Sequence, residues 1–201
     1  ISVGSKVDDP KFAALGRDRM SAWLASRGGD ANEDLQYKMI KGTFRRGTAE
    51  VPFLLEVGLL QARPHAKVDE PVLAMNRTPL YGTPDMKGFQ IREKVVGDYH
   101  SANVNLAGAC QAYGLTGQYA AAVAVHICCP SPGYTSYGKH QFDTSWLVEP
   151  MSEAMELVTR RIRRIRAGEI RREKPDAAEK SIRETLFSIL PKAIADNTEN
   201  G

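Results

Sequence analysis

A loop rich in proline and glycine, "PSPGYTSYGKH" (130–140), follows two adjacent cysteines and contains a single lysine, Lys139. A lysine ammonium on a flexible stem is a mobile point charge, and such a charge can contact a phosphate group. Lysine is nonetheless mostly a surface residue, so composition alone favours a solvated loop side chain. Lys139 is therefore a candidate phosphate contact that needs support from the rest of the chain.

The arginine-rich segment "RRIRRIRAGEIRREK" (160–174) is a second candidate for binding phosphate. Arginine forks match phosphate oxygens well. Ile162 and Ile165 recur at helical spacing, however, and arginines on the remaining faces of such a helix are most often only solvated. We consider three of these residues as candidate contacts with DNA or a partner: Arg160, Arg163 and Arg164.

Histidine and cysteine side chains give weaker signals. His126 lies within an apolar run, where a core histidine with satisfied hydrogen bonds is more common than a metal ligand. Cys128 and Cys129 end that run, and buried free cysteine behaves as a small hydrophobe. No zinc spacing, nucleophile elbow, Walker loop or dinucleotide fingerprint is present. The sequence therefore predicts no catalytic residue and no metal site in this chain alone.

Composition limits the classes of protein. The 201 residues suffice for one sizeable core or two small ones. The net charge of +3 excludes a bulk polycation, so any nucleic-acid contact would be local. Three cysteines, two of them adjacent, make a poor disulfide framework, and neither a signal peptide nor a membrane span is recognisable. We predict a cytoplasmic protein with reduced thiols, and the missing initiator Met suggests a piece of a longer chain.

The predicted N-terminal segment, 1–45, contains one helix. Asp9 can cap it and Pro10 suits its first position. The motif "RGGD" (27–30) should end it, since glycine accepts the left-handed conformation. A polar stretch, 31–50, then leads into the next unit.

The predicted central domain, 46–149, is mainly sheet. Its most apolar run, 118–129, should be the central strand. The other predicted elements are strands at 51–60, 71–76 and 87–96 and a helix at 101–114.

The predicted C-terminal segment, 150–201, consists of long helices. Pro150 suits a first turn, and Asp176 with Glu179 forms a capping box for the last helix. The overall order predicts an α+β, two-layer sandwich with helices over one sheet face. One apolar stripe has steps of four and three residues: Met151, Met155, Val158, Ile162 and Ile165.

Three motifs, in order along residues 45–195, resemble the B subunit of type IIB DNA topoisomerases (topoisomerase VI). "RRGTAEVPFLLEVGLL" (45–60) looks like the start of that family's transducer domain. "MNRTPL" (75–80) is similar to its Asn-Arg-x-Pro-Leu strand end. "AVAVHICCPSPGYTSYGK" (122–139) resembles its strand with a central histidine, followed by an aromatic-Thr-Ser-x-x-Lys loop.

The resemblance implies a fold and a role. The fold would be a left-handed β-α-β sandwich like the second domain of the small-subunit ribosomal protein S5, which we call S5-like. Lys139 would contact the γ-phosphate of ATP, with Thr135 and Ser136 supporting its loop. The C-terminal helices would carry the movement to a DNA-cleaving A subunit. The family's helix-two-turns-helix insert has no clear counterpart in 1–45.

The ATPase motifs themselves are missing from this sequence. Neither an Asp-x-Gly-x-Gly loop nor a Glu-x-x-x-Asn helix is present. The resemblance therefore implies ATP and Mg²⁺ for a full-length protein, bound by an ATPase domain on the same or a separate chain, and none for this chain alone. The implied partners are that domain, an A-like DNA-cleaving subunit and DNA, with no membrane. Two alternatives stay open: a non-enzymatic nucleic-acid-binding module that uses the 160–174 arginines, and a stand-alone interaction scaffold.

Overall fold

The computed structural model describes residues 13–63, 66–80, 86–92, 99–134, 143–169 and 171–172, with the backbone alone at 86–92 and 99–103. The chain divides into two compact units, Ile1–Arg160 and Arg161–Gly201. The elements in chain order are α1 (Arg17–Ser26), β1 (Gln36–Arg46), β2 (Ala49–Gln61), β3 (Val72–Met75), β4 (Thr78–Pro79), β5 (Met86–Arg92), β6 (Tyr99–Val104), α2 (Leu106–Ala112), β7 (Ala121–Cys128) and α3 (148–169).

Five strands form a mixed sheet in the order β1-β2-β7-β3-β4, and β5 pairs with β6 separately. β7 is antiparallel to β2 and parallel to β3. All eight residues of β7 are buried, which confirms the prediction that this apolar run is the central strand. The predicted α+β class is likewise confirmed, because helices accompany a mixed sheet.

The predicted strands at 51–60 and 71–76 are confirmed as β2 and β3, and 87–96 overlaps β5. The predicted helix at 101–114 is wrong in its first part, since Tyr99–Val104 is the strand β6. The helix begins after Asn105, whose side chain accepts a 2.8 Å hydrogen bond from the amide of Gly108. This N-cap residue was the sequence signal for the boundary.

The polar stretch 31–50, predicted only to connect the N-terminal segment to the next unit, contains the edge strand β1. β1 pairs with β2 without interruption, from Gln36 opposite Leu59 to Arg46 opposite Ala49. Its side chains alternate between exposed and half-buried from residue 39 to residue 45. The strand escaped sequence analysis because no side chain along it is fully buried, so its alternation is weakly apolar.

One face of the sheet is covered by α1. Met20 and Leu24 are fully buried there, and Gly58 on β2 makes the close approach possible: an added Cβ would lie 2.4 Å from Cγ of Met20. The helix ends at "RGGD" as predicted, with Gly28 at a φ of +99°. Its predicted start near Asp9 is wrong, because residues 13–16 are not helical and α1 begins at Arg17; Asp9 and Pro10 themselves lie outside the described residues. The buried cluster beneath the helix comprises Met20, Leu24, Leu60, Ala122 and Ala124.

The opposite face is covered by the start of α3 and the turn before it. Side chains alternate along a strand, so Phe44 and Phe53 point away from the α1 face. The Trp146 ring stacks on Phe44 with 4.1 Å between centroids and lies 5.1 Å from Phe53. Nζ of Lys38 lies 3.6 Å from Oε1 of Glu153. Helices therefore cover both faces, and the predicted single covered face is wrong because the N-terminal segment supplies α1.

The predicted apolar stripe of α3 is confirmed in part. Its first four residues, from Met151 to Ile162, are at most 3% exposed, whereas Ile165 is 42% exposed. The predicted last helix, with Asp176 and Glu179, lies outside the described residues. Among the helices that the structure describes, none combines the length and apolar character needed to cross a membrane.

Candidate functional site

A carboxylate is buried in the middle of the sheet. Glu56, on β2, has no exposed surface and accepts four hydrogen bonds. Its Oε2 accepts from the amide of Leu15 and from Nδ1 of His126, both at 2.7 Å. Its Oε1 accepts from the amide of Gly16 at 2.8 Å and from the hydroxyl of Tyr37. Each oxygen thus has two donors, which is how a buried carboxylate avoids an unsatisfied charge.

Strand register and helix position explain this arrangement. Glu56 lies directly opposite His126 in the β2–β7 pairing, so both side chains emerge on the same face. Leu15 and Gly16 immediately precede α1, which packs on that face. Amides at the start of a helix lack partners within the helix and favour an anion. The carboxylate therefore anchors the start of α1 to the sheet.

The hydrogen bonds keep Glu56 ionised. Burial acts to raise the pKa of Glu56, but the hydrogen bonds from His126, Tyr37, Leu15 and Gly16 outweigh it and lower the pKa to about 2. Burial and the neighbouring carboxylate raise the pKa of the Tyr37 phenol. The phenol therefore stays protonated and donates to the carboxylate.

His126 is held in one neutral tautomer. Its ring is 1% exposed, and Nε2 accepts a 3.2 Å hydrogen bond from the amide of Arg77. A backbone amide can only donate, so Nε2 has the free lone pair and Nδ1 has the hydrogen that points to Glu56. The interpretation of His126 as a satisfied core histidine is confirmed.

The turn between β3 and β4 is strained and firmly held. Asn76 and Arg77 have φ values of 48° and 68°, a left-handed region that residues other than glycine rarely adopt. Positive φ at both central residues is typical of two-residue hairpin turns. The Asn76 amide donates to the carbonyl of Ile127 at 2.7 Å, while the Arg77 amide reaches His126. These bonds fix the turn against the end of β7.

Asn76 also holds the start of the loop that follows β7. Its Nδ2 donates to the carbonyl of Cys129 at 2.9 Å, and its Oδ1 accepts from the amide of Cys129 at 3.0 Å. Nη1 of Arg46 donates to the Ser131 hydroxyl at 3.0 Å and lies 3.4 Å from the carbonyl of Pro132. Residues 129–132, which we call the loop root, are therefore held by the β3–β4 turn and by the β1–β2 hairpin.

These contacts form one connected set, which we call the Glu56 network, whose hydrogen bonds are linked at the β3–β4 turn by the covalent backbone of Asn76 and Arg77. It runs from the residues before α1, through β2 and β7, to the β3–β4 turn and the loop root. Its members are Leu15, Gly16, Tyr37, Glu56, Asn76, Arg77, His126 and Cys129.

Cys128, His126 and Glu56 have the order of a thiol nucleophile, its base and the group that orients the base. Sγ of Cys128 lies 3.8 Å from Nε2 of His126. However, the amide of Arg77 already occupies that nitrogen, and the thiol is 5% exposed. Burial, and then the charge of Glu56, raise the pKa of Cys128, so it stays a thiol. The arrangement thus favours a structural role over covalent catalysis.

The predicted site residues lie in two places. Thr135, Ser136 and Lys139 fall outside the described residues, and only the root of their loop is described. On α3, Arg160 and Arg164 are exposed. Arg163, the remaining predicted contact, is half-buried.

The network as a whole is not recognisable from the sequence. Leu15 and Gly16 take part through backbone amides, which leave no trace in residue type, and Tyr37 lies on the strand that was missed. One signal was available: Glu56 is a charged residue in an apolar strand, and buried charges require partners.

Two further findings bear on function. The part of the chain that the structure describes has no group of three or more His, Cys, Asp or Glu residues that could hold a metal ion. No family model and no curated protein sequence matches this chain.

Proposed function

We propose that this chain is the transducer portion of a topoisomerase VI B-like protein, coupling ATP binding in a gyrase/Hsp90-type ATPase domain to a DNA-cleaving partner subunit. One observation supports this most: the three motifs behind the resemblance meet in the Glu56 network. Glu56 comes from the first motif, Asn76 and Arg77 from the second, and His126 from the third. Three motifs at least 15 positions apart in sequence thus share one hydrogen-bonded cluster around the buried Glu56 and His126.

The finer fold is part of the proposal. β3 and β7 are parallel neighbours, and the connection between them contains α2. Such a β-α-β connection is compatible with the S5-like sandwich of the family, with the left-handed crossover that it implies. In this proposal α1 is an addition that covers the face left open in a two-layer sandwich.

The proposed mechanism uses the loop after β7 as a sensor. Lys139 contacts the γ-phosphate of ATP held by the ATPase domain with Mg²⁺, while Thr135 and Ser136 support the loop. Loss of the third phosphate on hydrolysis removes the partner of the lysine charge, so the loop changes position. The C-terminal helices carry this change to the DNA-cleaving subunit. In this proposal the chain contributes the lysine and the loop that carries it, and the ATPase domain contributes the residues that hydrolyse ATP.

The test uses this chain joined to, or mixed with, its ATPase domain. Lys139→Ala should lower ATP-stimulated DNA processing roughly 100-fold, because a charge that stabilises the γ-phosphate in a partly dry site is worth a few kcal/mol. ADP affinity should change less than about twofold, since ADP has no γ-phosphate. Lys67→Ala, at an exposed lysine elsewhere, is the matched control. Normal ATP turnover and normal coupling to DNA in Lys139→Ala would refute the proposal.

A nucleic-acid-binding module of the same fold is the second candidate. Arg160 and Arg164 are exposed on α3, and the exposed Ile165 shows that the apolar stripe has ended there. In this case the isolated chain should bind DNA, and affinity should fall steeply with salt. Replacing Arg160, Arg163 and Arg164 with Ala should weaken binding, unlike Arg19→Ala on α1. Unchanged affinity at low salt would return these arginines to a solvated helix face.

A further inference from the structure

We infer that the Glu56 network couples the segment before α1 to the loop root, so that the attachment of Leu15 and Gly16 and the placement of Cys129 depend on each other. This inference does not rest on the proposed function, which concerns only what the loop after β7 binds. The coupling is a property of this chain without nucleotide. Asn76, Glu56 and His126 act as positioning residues in this inference.

The network connects its two ends through hydrogen bonds and, in the β3–β4 turn, through the peptide bond between Asn76 and Arg77. The amides of Leu15 and Gly16 bind Glu56 at 2.7 and 2.8 Å, and Glu56 binds His126 at 2.7 Å. His126 accepts from the amide of Arg77, the second residue of the β3–β4 turn. The first residue of that turn, Asn76, makes the two hydrogen bonds to Cys129. These bonds join residues more than 100 positions apart in sequence.

The intermediate groups cannot exchange partners freely. If His126 moved its hydrogen to Nε2, that N–H would face the amide N–H of Arg77. If Glu56 moved away, Nδ1 of His126 would be left as a buried donor without an acceptor. An unsatisfied buried donor costs more than the hydrogen bond contributes when formed. A displacement at one end is therefore transmitted, because absorbing it locally is unfavourable.

The β3–β4 turn is the element most ready to change state. Two successive residues with positive φ, Asn76 and Arg77, are costly and persist only while surrounding contacts hold them. Four hydrogen bonds hold them, from His126 and Ile127 at the end of β7 and from Cys129 just after it. Loss of the Glu56 anchor loosens His126 and with it the turn. The loop root should then lose its two bonds to Asn76.

Amide hydrogen exchange measured by NMR on this chain tests the coupling. Asn76→Ala disrupts the loop-root end, and the readout is the exchange rate of the Leu15 and Gly16 amides. Tyr37→Phe removes one donor to Glu56 at the other end, and the readout is the Cys129 amide. Each remote amide should exchange about 10-fold faster, as expected when a shared hydrogen-bonded network loosens. Rates are normalised to the Val125 amide on the central strand, which reports global unfolding.

The control removes a buried hydroxyl elsewhere. Thr159→Val deletes the 2.7 Å hydrogen bond from Thr159 to the carbonyl of Met155 and should leave the remote amides unchanged. If Asn76→Ala does not fold, Asn76→Asp keeps the acceptor oxygen but replaces the NH₂ donor with a charged carboxylate oxygen, which breaks the hydrogen bond to the carbonyl of Cys129. The inference is overturned if the Leu15 and Gly16 rates stay within twofold while Cys129 accelerates. The inference is also overturned if Thr159→Val accelerates exchange of these remote amides as much as Asn76→Ala or Tyr37→Phe does. Neither result bears on the Lys139 test.

Discussion

Glu56→Gln should destabilise the fold strongly at neutral pH and weakly in acid. The folded protein lowers the pKa of Glu56 from 4.5 to about 2. A group with a depressed folded pKa contributes stability above its unfolded pKa and loses it as pH falls through the folded value. The shift corresponds to about 3 kcal/mol of unfolding free energy at pH 7, lost between pH 4.5 and pH 2.

The arrangement of donors explains why glutamine cannot replace this carboxylate. Each carboxylate oxygen accepts two donors, whereas a glutamine side chain has one oxygen and one NH₂ group. The least costly orientation turns the NH₂ toward Tyr37, whose hydroxyl can rotate to accept. The amide of Gly16 then faces a donor and is left unsatisfied, which accounts for about 1–3 kcal/mol of that loss.

Urea unfolding followed by the fluorescence of Trp23 and Trp146 measures this effect. The stability difference between the native chain and Glu56→Gln should be about 3 kcal/mol at pH 7 and shrink toward pH 2. Glu153→Gln is the matched control, since Glu153 is exposed and should cost less than about 0.5 kcal/mol. A pH-independent difference, or one below about 1 kcal/mol at pH 7, would refute the assignment of Glu56 as a buried anion.

Three further predictions concern packing and the thiols. In denaturant titrations, Ile162→Ala should lower the unfolding free energy by about 2–5 kcal/mol, because Ile162 is buried. Ile165→Ala should change it by less than about 0.5 kcal/mol, because Ile165 is exposed. Equal effects of the two substitutions would contradict this difference in burial. Gly58→Ala should cost about 1–3 kcal/mol, since its Cβ would meet Met20, and Met20→Ala should relieve part of that cost in the double variant. Burial raises the pKa of Cys128. Its thiol should therefore react with a disulfide reagent at pH 8 far more slowly in the folded chain than in the chain unfolded by urea. Similar reaction rates in the two states would contradict the burial of this thiol.

Sequence patterns predicted the parts of the fold whose residues are fully buried. The apolar runs that became β2 and β7 are continuous, so periodicity and length identified them directly. The first quarter of the chain, before residue 50, was harder to predict. β1 is an edge strand without fully buried side chains, and its role depends on pairing with β2 rather than on its own composition.

The candidate site was predictable only in its separate pieces. Glu56, Asn76 and His126 stood out as members of motifs, but sequence gives no register between strands. Only the parallel pairing of β3 with β7 and the antiparallel pairing of β2 with β7 bring these residues together. The amides of Leu15 and Gly16 could not have been predicted, since every residue but proline has an amide.

The position of β7 between β2 and β3 has a consequence for biosynthesis. The chain makes β2 and β3 early, but the strand that separates them, Ala121–Cys128, emerges from the ribosome only about 45 residues after β3 ends. Until then β2 can pair with β1 in a local hairpin, while its other edge is open and Glu56 lacks His126. Insertion of β7 is a long-range step, and such steps are slow. While it is pending, the unpaired strand edges can pair with other chains. A nascent or truncated chain that ends before residue 121 is therefore the form most prone to aggregate or to require a chaperone.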